Sequence, residues 1–234
     1  MMSASDRADN VSTREVQYKR LLDVAERYGR TELGLMANQA WHDDPKRLTF
    51  TFARYKFVAR MLSGRKNVLE VGCGDAFPSR IVQQEVERLT VTDFDPIFIE
   101  DAIKRAGQGW DLAGAFVHDM LSGPPQGSYD GIYALDVLEH IDPKDEPLFL
   151  RNMIGALEDH GVFIIGMPSL ESQPHASAIS KEGHVNCQSA PVLKATMQRY
   201  FHSVFMFCMN DEVLHVGFHK MAHYIIAVCC DKRV

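Results

Sequence analysis

The sequence predicts an α/β fold: an open, doubly wound, mostly parallel sheet of seven strands with an antiparallel last strand, preceded by a helical layer. Three observations predict it. From Asn67 onward, short apolar runs alternate with helix-patterned stretches, as expected for parallel strands covered by helices on both faces. The first of these runs ends in Gly72-Cys73-Gly74, a turn of the kind that opens a ligand site at a strand end. Residues 1–64 carry helix signals and no strand pattern.

The N-terminal segment supplies these signals in order. Ser12-Thr13-Arg14-Glu15 has the form of a capping box at a helix start. Leu21, Leu22, Ala25 and Tyr28 follow at helical spacing, and Gly29 stops the helix. Residues 31–41 read as a second short helix. Asp44-Pro45 opens a third, with Leu48, Phe52, Tyr55, Ala59 and Leu62 on one face and Ser63-Gly64 at its end.

Strands are expected at 68–71, 89–92, 115–117, 131–134 and 162–166. Helices are expected between them at 78–88, 96–106 and 145–158, with one more at 190–200. The last two strands, 204–209 and 222–230, have no helix between them and should pair as a hairpin. Residues 168–189 read as a loop of more than twenty residues. A loop that long in a compact domain is usually functional or disordered.

Composition narrows the function. The chain has 234 residues, 46% hydrophobic and 24% charged, which suits one globular domain with a small appendage. The longest apolar run, Tyr224 to Cys230, is too short to span a bilayer, so no membrane partner is expected. The polar start lacks a secretory signal. Five cysteines, none in a C-x-x-C pair, fit reduced thiols and a cytoplasmic location. A net charge of -6 disfavours nucleic acid as a partner. The histidines His215, His219 and His223 are spaced like ligands on one helix face. Gly217 and the adjoining strand break that face, so no metal is expected there. Cys229-Cys230 reads as two small strand residues rather than a redox pair. Oligomeric state is not legible.

The ligand at the glycine turn is constrained by its surroundings. Asp93 ends the second strand, about 20 residues past Gly72, the place for an acid that accepts from ribose hydroxyls. A dinucleotide fingerprint needs a third glycine where Phe77 stands. Glu70 and Asp75 make the turn acidic, which repels a pyrophosphate and suits a ligand bearing an ammonium and a sulfonium.

The run Val68-Leu69-Glu70-Val71-Gly72-Cys73-Gly74 resembles the first motif of class I S-adenosylmethionine (SAM)-dependent methyltransferases. Asp93-Phe94-Asp95-Pro96 and His118-Asp119-Met120 resemble the ends of their second and third strands. Ser128-Tyr129-Asp130-Gly131-Ile132-Tyr133-Ala134-Leu135-Asp136-Val137-Leu138-Glu139-His140-Ile141 resembles the F-D-h-h-h-x-x-D-V-L-E-H-h segment of the ubiquinone-biosynthesis-like branch. Leu157 to Ile165 resembles the segment entering their fifth strand. Together the motifs cover residues 67 to about 168 in the family's order. Ala76 stands where the family often has another glycine, which costs little provided its φ is negative. Glu158-Asp159-His160 replaces a usual lysine-proline-glycine.

The resemblance implies SAM as cofactor and S-adenosylhomocysteine (SAH) as product. It implies cofactor contacts at Glu70 (near the ammonium), Gly72, Cys73 and Gly74 (methionine portion), Asp93 (ribose) and Phe94 (adenine). It also implies contacts at Asp119 and Met120 (adenine), and backbone contacts from Leu135 and Asp136. It divides the chain into a helical cap at 1–64 and a SAM-binding domain at 65–234. Methyl transfer to a hydroxyl releases a proton, and histidine is matched to take it. His184, His175 and His140 are the candidate bases, the first two from the loop 168–189. Trp41, His42, Phe50, Phe52, Arg54 and Tyr55 are placed to form an acceptor wall or simply core. The expected partner is a small polar acceptor such as a sugar, nucleotide-sugar, phenol or natural product, with oxygen preferred slightly over nitrogen or carbon. Strand four lacks the D/N-P-P-Y/F signature of base-amino methylation. Two other classes stay open: a catalytically silent methyltransferase-like binding protein, and a nicotinamide oxidoreductase, which Phe77 opposes.

Overall fold

The computed structural model describes residues 13–107 and 110–233. Its helical layer comprises α1 (Lys19–Tyr28), α2 (Leu35–Asp43) and α3 (Lys46–Met61). The sheet domain follows as β1 (Val68–Val71), α4 (Ser79–Gln83), β2 (Leu89–Asp93), α5 (Pro96–Arg105), β3 (Gly114–Val117) and β4 (Tyr129–Leu135). It continues with α6 (Glu146–Gly155), β5 (Leu157–Pro168), α7 (Ala178–Gly183), α8 (Ala190–Met197), β6 (Phe201–Asn210), β7 (Val213–His215) and β8 (Tyr224–Lys232).

The strands form one sheet in the order β3-β2-β1-β4-β5-β8-β6-β7. The pairs from β3 to β5 are parallel, and β8 is antiparallel to both β5 and β6. The doubly wound sheet and the antiparallel last strand are therefore as expected. The sheet gains an eighth strand, the short edge strand β7, whose Val213 to His215 pair with Asn210 to Cys208.

Period-two alternation along the central strands divides the core in two. Ile132 and Ala134 of β4 join Leu69, Phe163 and Ile165 under α6 and α8. Tyr133 and Leu135 join Val68, Val91 and Ile164 under α3, α4 and α5. Strand order reverses between β1 and β4, and the ligand crevice of such sheets lies at the carboxyl ends there.

Several element bounds differ from the sequence reading, each through a contact distant in sequence. Ser12 lies outside the described residues. The first helical turn begins only at Val16, and α1 buries none of its residues although Gly29 ends it at φ +73. Helix α2 starts at Leu35 rather than residue 31 because its cap comes from elsewhere: Asp75 Oδ2 accepts from the Ala37 N–H at 2.7 Å. Residues 157–161 are strand, not helix end, since buried Leu157 pairs with Tyr129 and its carbonyl accepts from Lys232 Nζ. Helix α4 covers only 79–83 of the expected 78–88. The stretch 168–189 is not a structureless loop. It holds a 3-10 turn, Leu170–His175, and α7, and is pinned by Leu170 N to Gln188 O at 3.0 Å and Ser169 Oγ to Ala222 O at 2.6 Å.

Candidate active site

The turn after β1 is built as a bare-backbone cradle. Gly72 and Gly74 have φ of +70° and +51°, conformations that favour glycine. A Cβ on Gly72 would meet Val137 Cγ2 at 2.3 Å, and one on Gly74 would meet Met36 Sδ at 2.5 Å. Ala76 departs from the expected negative φ: it stands at +51°, where an L side chain costs roughly 1–2 kcal/mol. The surrounding turn enforces it, with Ala76 N donating to Cys73 O at 2.9 Å and the methyl fully buried.

Asp93 closes this cradle from β2. Its Oδ2 accepts from the Gly74 N–H at 2.9 Å and its Oδ1 from the Asp95 N–H at 3.0 Å. The carboxylate is thus fixed beside the glycine turn with lone pairs remaining for ribose hydroxyls. Asp95 caps α5 through Ile97 N instead. Phe94 is 73% exposed at the strand end, available to lie on a planar ring. Asp119 is also exposed, its Oδ1 accepting from Leu121 N at 2.8 Å. The bare turn, the fixed carboxylate and the exposed aromatic fit SAM.

The other residues expected to contact the cofactor sit differently. Glu70, Cys73, Met120 and Leu135 have buried side chains, so in this conformation they offer a ligand backbone rather than side chain. Glu70 faces the α3 side, where Tyr55 and Tyr133 hydroxyls donate to its two oxygens at 2.6 and 2.7 Å. Burial pushes its carboxyl up to about 7. Asp136 does not offer a free backbone amide, because its N–H donates to Gly166 O at 3.0 Å.

Beyond β4 the chain makes a second constellation. Asp136 adopts φ +58°, and both its oxygens accept from Arg54 Nη1 of α3, at 3.0 and 2.8 Å. The Arg54 guanidinium lies 3.7 Å from the centroid of the buried Tyr224 ring. A 3-10 turn, Leu138–His140, then presents Glu139 and His140. His140 and His184 face each other with ring centroids 5.1 Å apart. Their Nδ1 atoms lie 2.9 Å from Gly183 O and 3.0 Å from Gln173 Oε1. Burial and the neighbouring His140 lower the His184 pKa. Glu139 is fully buried, and desolvation together with the Asp136 charge holds its carboxyl well above the usual range.

The structure therefore brings His140 and His184 together and leaves His175 apart, exposed at the end of its 3-10 turn. His215 bonds to Asn210 Oδ1 and Gly217 N instead of joining His219 and His223 in a ligand set. Arg54 was expected only as acceptor wall or core, and Tyr224 and Glu139 were not expected at the site. Of the latter two, Glu139 carried a sequence signal, since it adjoins His140 inside the D-V-L-E-H segment. Phe77 packs 6.1 Å from Phe52 and, with Trp110, lines a cavity of about 280 Å³. Of the N-terminal residues, Tyr55 is core and Trp41 is 55% exposed.

This arrangement defines a class I SAM-dependent methyltransferase. The methyltransferase-domain family model matches residues 40–200, well over half of the chain, and the chain belongs to that family. No curated protein matches. Among solved structures, the chain is similar to N-methyltransferase NodS from Bradyrhizobium japonicum WM9 in complex with SAH: TM-score 0.61, 17% identity, 93% of this chain and 99% of that one. It is also similar to a putative methyltransferase in complex with the Haloferax volcanii Trm112 activator: TM-score 0.66, 14% identity, 84% and 96%. A third is the plantazolicin methyltransferase BpumL in complex with SAH: TM-score 0.60, 12% identity, 92% and 98%. At these identities the likeness is one of fold. Among the described residues no helix is long and apolar enough to cross a membrane.

Proposed function

We propose that the chain transfers a methyl group from SAM to a hydroxyl oxygen of a small polar acceptor docked at Glu139, His140 and His184. The carrying observation is the facing pair of imidazoles beside a buried carboxylate, just past the end of β4, where Val137, two residues beyond the strand, packs on Gly72. When bound, SAM supplies an activated methyl group and a neutral leaving group. The residues supply alignment and a dry site. Gly72 and Gly74 give the methionine portion a bare backbone, Asp93 anchors ribose, and Phe94 and Asp119 flank adenine. A hydroxyl held at the histidine pair is positioned to lose its proton there as the new C–O bond forms.

Residues 1–64 act in this reading as a cap over the domain 65–234. Met36 over Gly74 covers the cofactor side, and Arg54 on Asp136 walls the acceptor side. The D-V-L-E-H segment favours the ubiquinone-biosynthesis-like branch. The test is SAH release over a panel of sugars, nucleotide-sugars, phenols and matched amines. Turnover on hydroxyl acceptors, abolished in His184→Ala with SAH affinity within about fivefold (roughly 1 kcal/mol) of the parent, supports the reading. Turnover on amines only refutes oxygen as the acceptor atom. Tight SAH binding with no turnover on any acceptor supports the silent binding protein instead.

A further inference from the structure

Glu139 presents a problem that the methyl-transfer reading leaves unsolved. Its side chain is fully buried, and neither carboxylate oxygen has a hydrogen-bond partner. A buried carboxyl group without a hydrogen-bond partner is unfavourable, most of all when ionised, and such groups are normally paired or bound to a cation. Arg54, the nearby cation, bonds Asp136 through Nη1 and makes no hydrogen bond to Glu139, its buried Nε being itself without a partner.

Two imidazole nitrogens lie close to this carboxylate. One Glu139 oxygen and one ring nitrogen from each of His140 and His184 all lie within 4.8 Å of one another. Each Nδ1 is tied to a carbonyl oxygen, which makes it the protonated nitrogen and leaves the Nε2 lone pair free. Metal-binding imidazoles are oriented in this way. The backbone fixes the set as well. Val185 N and Asn186 N both donate to Glu139 O, at 2.8 and 2.9 Å, so the segment carrying His184 is clamped onto the turn carrying Glu139 and His140. A donor set split between distant parts of the chain is thereby held together without a ligand.

We propose that Glu139, His140 and His184 bind a divalent cation. Two imidazoles and one carboxylate select a borderline first-row ion such as manganese, iron, cobalt or zinc, over magnesium or calcium, which prefer all-oxygen shells. Three protein ligands leave coordination positions for water or an acceptor oxygen. With the ion bound, the imidazoles act as its ligands in place of the base role proposed above: the ion's charge lowers the pKa of a coordinated hydroxyl, whose proton then passes to solvent water. The site stands whether or not the acceptor atom is oxygen.

The test is a cobalt(II) titration of the chelator-treated full chain, followed by visible absorption and calorimetry. The proposal predicts stoichiometric binding with ligand-field bands. Glu139→Gln and His184→Gln, which keep side-chain volume, should each weaken it at least about 10-fold, while exposed His175→Ala leaves it unchanged. SAH affinity is measured on every variant. Retained SAH binding shows a folded cradle and separates failure of the cation site from failure of the methyltransferase reading. Absence of cobalt binding by the parent chain, or equal binding by both variants, overturns the proposal.

Discussion

The two halves of the carboxyl edge are made in opposite ways. The half assigned to the cofactor, from β1 to β3, is local: glycines at positive φ, one aspartate at the next strand end, and an exposed aromatic beside it. The half proposed for the acceptor, after β4, is assembled from distant pieces. Arg54 of α3 bonds Asp136, Tyr224 of β8 stacks on Arg54, and His184 meets His140 across 44 positions. The first kind of construction is legible in a short motif; the second depends on contacts between segments distant in sequence.

The largest expected effect lies behind the cofactor half. Glu70 has a folded pKa of about 7 against an ordinary 4.5, so the folded state holds a proton that the unfolded state releases between those values. Its contribution to stability is therefore present in acid and lost as pH rises from 4.5 through 7, by about 3 kcal/mol. Glu70→Gln keeps an acceptor and a donor for Tyr55 and Tyr133 without the charge. Chemical denaturation at pH 8 should show it more stable than the parent, with the difference vanishing near pH 4. Equal pH profiles for the two proteins would mean that Glu70 is solvated or charged in the fold.

The join between the halves comes next. Gly72→Ala forces a Cβ onto Val137 at positive φ and should destabilise by roughly 1–3 kcal/mol in thermal melts. Adding Val137→Ala removes the clash but not the backbone strain, so rescue should be partial. Full rescue would show that strain at Gly72 is negligible. No rescue would show that Val137 does not press on the turn.

The smallest effect concerns the start of α2. Asp75→Ala removes the side chain that accepts from the Ala37 N–H, and losing such a cap costs about 1 kcal/mol. Limited proteolysis should then cut faster near residues 34–43. An unchanged cleavage rate would show that α2 is held by its packing alone.

Legibility in the sequence followed the same division. Hydrophobic runs placed β1, β2 and β4 because those strands are buried on both faces, and the turn after β1 was readable because glycine chemistry is local. The start of α2 was not, since its capping carboxylate lies 38 positions away in Asp75. Nor was the conformation of Ala76, which the turn imposes against the residue's own preference. His140 and His184 were singled out by type and by nearness to a strand end, yet their pairing depends on the clamp from 185–186 to Glu139. His175, chosen by the same reasoning, is not clamped there. Glu139 sat inside a quoted motif, but only burial without a partner marks it as more than a turn residue.

The central claim is that cofactor recognition and the Glu139–His140–His184 constellation are separable. SAH calorimetry on the parent, Asp93→Ala and His184→Gln tests it most directly. Asp93→Ala loses charge-assisted bonds to ribose, about 1.5–3 kcal/mol, and should bind roughly 10- to 150-fold more weakly. His184→Gln should bind within about fivefold of the parent, under roughly 1 kcal/mol. Equal losses in the two variants, or none in Asp93→Ala, would contradict the account.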